Sequence, residues 1–100
     1  FDAKTRDALT KILQLQSSVS EAQRKVSDVD AQRKQIVDEQ ARVRENLARV
    51  PANSDLQRRY LTTLDQQENE LEALAKQRGE AQKAVDTARE ALRAYVASLG

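Results

Sequence analysis

Apolar residues recur at alternating steps of three and four along nearly the whole chain, and this pattern breaks only once. On the amino-terminal side the steps run through Thr5, Ala8, Ile12, Leu15, Val19, Ala22, Val26, Val29, Arg33, Ile36, Gln40, Val43, Leu47 and Val50. On the other side they run through Gln57, Tyr60, Leu64, Gln67, Leu71, Leu74, Arg78, Ala81, Val85, Ala88, Leu92, Tyr95 and Leu99. Such spacing places one residue of every half-heptad on a single helix face, and that face must be buried against another helix. A sustained repeat of 3.5 residues predicts a left-handed supercoil. The expected fold is all-α: an antiparallel two-helix coiled-coil hairpin over residues 1–100, with helices at about 3–50 and 55–99. Each helix of about 45 residues would be roughly 68 Å long.

The interruption is Val50-Pro51-Ala52-Asn53-Ser54-Asp55. Proline has no backbone N–H and its ring clashes with a preceding helical turn, so it also disfavours helical angles at Val50. Asn53, Ser54 and Asp55 are residue types that bond free amides at a helix start. Ser54-Asp55-Leu56-Gln57 has the form of a capping box, and Asp55 suits the positive end of the second helix. A stop, a turn at 51–54 and a start within so few residues make the two helices antiparallel neighbours.

The two seams can be set in register about Pro51, with partners whose numbers sum to 107, as 40 and 67 do. The layers then read Leu47–Tyr60, Val43–Leu64, Gln40–Gln67, Ile36–Leu71, Arg33–Leu74 and Val29–Arg78. They continue Val26–Ala81, Ala22–Val85, Val19–Ala88, Leu15–Leu92, Ile12–Tyr95 and Ala8–Leu99. Glutamine meets glutamine, a polar layer that fixes register at some cost in stability. Alanine meets valine three times running. Arg33 and Arg78 are expected to lie along the seam with their guanidinium groups in water or near Asp30 and Glu70.

The chain contains neither cysteine nor histidine, which removes disulfides, thiolate chemistry, imidazole bases and the usual zinc ligand sets. Six serines have no base beside them in any triad pattern, and no glycine-rich phosphate loop is present. The expectation is no enzyme and no catalytic, cofactor-binding or metal residues. A net charge of +1 gives no general pull toward nucleic acid or anionic lipid. No apolar run approaches the about 20 residues of a membrane span. The chain begins at Phe1 and contains no methionine, which reads as a piece of a longer protein.

Two surfaces remain as candidates for contact. Near the turn, Arg42, Arg44, Arg49, Arg58 and Arg59 outnumber Glu45 and Asp55 by five to two. These arginines either hold the carbonyls and acids around the turn or present a contact surface at the tip. Asn46 is expected to bond across to Thr63, and Arg44 to reach Glu68. At the open end, Leu9, Leu13, Val96 and Leu99 with Tyr95 form a candidate base interface, for a parent domain or a second copy. Val37, Leu61 and Ala75 are further apolar residues outside the seam.

One stretch carries a family resemblance. Gln40-Ala41-Arg42-Val43-Arg44-Glu45-Asn46-Leu47, Pro51, Ser54-Asp55-Leu56, Arg59-Tyr60-Leu61, Leu64 and Gln67-Glu68 resemble the carboxy-terminal coiled-coil part of bacterial proteins carrying domain of unknown function 4139. The resemblance covers about 30 residues, and the outer arms match only as generic heptads. It implies a hairpin that emerges from, or packs against, a mostly β domain, and it brings no catalytic residues with it. The expected function is a non-catalytic structural or protein–protein interaction module, a rigid spacer or docking arm of a larger bacterial protein. The alternatives are a periplasmic adaptor-type hairpin docking through its tip, and a nucleic-acid-contacting arm. Cell envelope and cytoplasm are not distinguished by these residues.

Overall fold

The computed structural model describes all 100 residues and contains two helices and no strands, an all-α helical hairpin. Helix α1 spans Ala3–Leu47 and α2 spans Asp55–Leu99. The start of α1 is capped by Asp2, whose Oδ1 accepts the Thr5 amide at 2.7 Å, while its carbonyl accepts the Arg6 amide at 3.0 Å. Asp2 is thus the N-cap residue, filling one of the free amide positions of the first turn.

Helix α1 ends at Leu47, three residues earlier than its expected limit. The reason lies in the backbone bonding. The Ala48 amide still reaches the Arg44 carbonyl four residues back, but the Arg49 and Val50 amides bond Asn46 and Leu47, three residues back. The last turn tightens ahead of Pro51, as helix ends commonly do. The connection therefore covers 48–54 rather than 51–54.

The start of α2 follows the capping expectation in one half and departs from it in the other. The Gln57 amide donates to Ser54 Oγ at 3.1 Å. The Gln57 side chain, however, accepts from the Asn53 amide at 2.7 Å, not from that of Ser54. The Ser54 amide is taken by the Pro51 carbonyl at 3.3 Å, which frees Gln57 for its neighbour. Ser54 Oγ also donates to Pro51 O at 2.7 Å. Asn53 has φ of 62°, the left-handed conformation that asparagine tolerates better than most residues.

Burial follows the predicted seams. In α1 every residue that is not exposed lies on the seam, and only Thr5 and Arg33 among the seam residues of the first half are exposed. On α2 the exposed seam residues are Arg78 and Leu99. Arg33 and Arg78 are exposed, their long side chains carrying the charged groups from the seam toward water.

The chain forms two compact units, each built from one stretch of both helices. The first joins Phe1–Asp28 to Arg78–Gly100. Its buried residues are Ala81 and Val85, the latter 2% exposed. They fall in the alanine–valine layers, where small side chains let two helices approach closely. The second unit, Val29–Gln77, contains the turn. It buries Val29, Val43 and Leu74, together with Gln40 and Gln67.

Candidate interaction surfaces

The buried glutamines define the middle of the second unit. Both are removed from solvent, as a facing layer requires, but they do not share their amide hydrogen bonds symmetrically. Gln40 Nε2 donates to Glu68 Oε1 at 2.8 Å. Gln67 Oε1 has no partner. Glu68 also lies 4.0 Å from the Arg44 guanidinium, so the expected cross-helix pair forms. Both side chains of that pair are well exposed, and such a contact contributes about 0–1 kcal/mol.

The structure divides the five tip arginines into two sets. Arg44 faces Glu68. Arg58 bonds the Asp55 carboxylate and the Asn53 carbonyl at 3.3 Å, so it braces the turn. Arg42, Arg49 and Arg59 are exposed, and their guanidinium groups make no hydrogen bond or ion pair within the chain. The expected Asn46–Thr63 bond does not form. Thr63 is half-buried, and its hydroxyl donates to the Arg59 carbonyl of its own helix at 3.0 Å, the usual alternative for a helical threonine.

At the base, Leu9, Leu13, Val96 and Leu99 are exposed, Leu13 at 65%. Tyr95 is half-buried on the seam, so it offers only part of its ring to any outside contact. In the second unit Val37, Leu61 and Leu56 are also exposed. Leu56 was not among the sequence-derived contact residues. Its position one residue before the seam, beside the turn, was the available signal.

Each unit carries a shallow, open groove. In the first it is lined by Ser18, Glu21, Ala22, Arg24, Lys25 and Asp28, of mixed charge. In the second it is lined by Gln32, Ile36, Glu70, Ala73, Leu74 and Gln77, with a volume of about 190 Å³. No three acidic side chains converge as metal ligands would. No helix is long and apolar enough to cross a membrane. Compared with protein-family models, curated proteins and solved structures, the chain matches none.

Proposed function

We infer that the chain is a non-catalytic structural or protein–protein interaction module, a coiled-coil spacer or docking arm of a larger bacterial protein. The observation that carries this reading is the uncovered apolar set at the base. Leu9, Leu13 and Val96 lie off the seam of the first unit, Leu99 stands in its last layer, and all four are exposed. A two-helix seam has no use for the first three and leaves the fourth uncovered, whereas a docked domain would bury them for about 1.5–3 kcal/mol per side chain. The resemblance to the hairpins of domain of unknown function 4139 supplies a fitting occupant, a mostly β domain of the same protein. The turn region of the second unit is then the part left to meet an outside partner.

Side-chain footprinting of the protein that carries this hairpin tests the reading. Leu13 and Val96 are expected to be protected relative to the isolated chain, while Leu61 in the second unit, 48% exposed, stays accessible. Equal labelling of Leu13 and Val96 in both settings would overturn it.

The unpaired Arg42, Arg49 and Arg59 favour a second reading, a nucleic-acid-contacting arm. It predicts salt-dependent binding to mixed oligonucleotides that is lost on Arg42→Ala with Arg59→Ala. An absence of binding at low salt removes it.

A further inference from the structure

The Arg44–Glu68 pair identifies one flank of the second unit, because in an antiparallel helix pair each flanking row faces its own counterpart on the other helix. The opposite flank holds Arg42, Arg49 and Arg59 toward the turn. It also holds Glu39 and Glu70 about one heptad further from it. All five are exposed, and none of their charged groups has a partner within the chain. Leu56, 44% exposed, stands at the turn end of the same flank, and the Ile36–Ala73–Leu74 groove lies at its other end. The flank is therefore bipolar in charge and carries at opposite ends an apolar knob and a recess floored by Ile36, Ala73 and Leu74 and bordered by Glu70 and two glutamines.

We propose that this flank is a self-association surface, on which a second copy of the chain packs face to face and antiparallel. The two-fold axis falls level with the Leu64–Asp65 bond on α2. Arg59 and Glu70 are equally distant from that point, so Arg59 of each copy faces Glu70 of the other. Leu56 and Ala73 are equally distant from the same point, which lays Leu56 of each copy into the groove of the other. On α1 the axis falls level with Arg42 and Val43, and Glu39 of one copy then stands between Arg42 and Arg49 of the other. One axis thus satisfies the charges and the knob together. A parallel arrangement would set arginine on arginine. The overlap from Leu56 to Ala73 is about 25 Å of helix, so the contact is small and the dimer weak. Nucleic acid fits this flank less well, because the glutamates follow the arginines closely and Tyr60 is half-buried on the seam rather than free to stack on a base.

The test is sedimentation equilibrium of the 100-residue chain over a wide concentration range at low salt, with circular dichroism to confirm helix content. A dimer is expected that weakens on adding salt. Arg59→Glu and Glu70→Arg should each raise the dimer dissociation constant at least about tenfold, while the double exchange restores it to within about threefold of the starting value. Leu56→Asp should also abolish association, although an acid in the first turn of α2 favours that helix. A monomer at all concentrations would overturn the proposal. So would a dimer indifferent to both charge reversals but lost on Leu13→Asp, which would place the contact at the base.

Discussion

Gln40 donates to the carboxylate of Glu68 at 2.8 Å, while the amide oxygen of Gln67 is buried without a donor. The polar layer is thus held by one cross-helix bond and contains one uncompensated acceptor. An unmet buried acceptor costs about 1–3 kcal/mol, about as much as a hydrogen bond to a carboxylate returns.

Replacing Gln67 with leucine is accordingly expected to stabilise the chain by about 1–2 kcal/mol. Gln40→Leu with Gln67→Leu should still raise the melting temperature above that of the parent chain, but by less than Gln67→Leu alone, because the Gln40–Glu68 bond is lost together with the feature that fixes register. Thermal melts followed by circular dichroism decide this. A fall in melting temperature for the double variant would show that the two glutamines do not occupy one layer.

Apolar residues on and off the seam should respond differently. Leu74 is 6% exposed, and Leu74→Ala is expected to cost about 2–4 kcal/mol. Leu13, outside the layers, should cost under about 0.5 kcal/mol in the isolated chain. Val43→Asp should unfold the second unit, since it sets a charge in a buried layer. Urea titration of the three variants gives the comparison, and equal losses for Leu74 and Leu13 would mean that the seam is misplaced.

Backbone positions give opposite signs. Gly79 lies inside α2, has no positive φ, and an added Cβ would meet nothing within 4 Å. Gly79→Ala should therefore stabilise by about 1 kcal/mol. Ser54→Ala should destabilise by about 1 kcal/mol, because it removes the acceptor of the Gln57 amide. Chemical denaturation of both variants measures the pair, and a loss on Gly79→Ala would point to a contact made only in an assembly.

The dependence on pH follows from three surface groups. The two hydrogen bonds from Arg93 hold the Glu90 carboxyl below its ordinary value, and the Thr5 amide does the same for Asp2. A depressed carboxyl adds stability above its unfolded pKa, and that contribution is lost as pH falls through the folded value, here below about 4. Lys34 is shifted upward by its hydrogen bond to Asp38, so its contribution is present below its unfolded pKa and disappears as pH rises through the folded value, above about 10. Because all three groups are exposed, salt should weaken each effect. Nuclear magnetic resonance titration of Glu90 should show its midpoint rise on Arg93→Gln. An unchanged midpoint would mean that the pair does not persist in solution.

The repeat from Ala8 to Tyr95 made the two helices and their buried faces legible, because helical period is a local property written into every heptad. Pro51 with Ser54-x-x-Gln57 made the turn legible for the same reason, since chain reversal and capping depend on adjacent residues. The sequence alone therefore determined the elements, their antiparallel order and which side of each helix is buried. Tertiary structure decided how side chains on different helices were shared. It gave Gln40 to Glu68 rather than Gln67, kept Thr63 on its own helix, and left Arg42, Arg49 and Arg59 unpaired while Arg44 and Arg58 found acids. Five arginines near a turn look alike in a sequence. Only the flank on which each one stands, and its distance from the nearest carboxylate, separates a brace from an open contact surface.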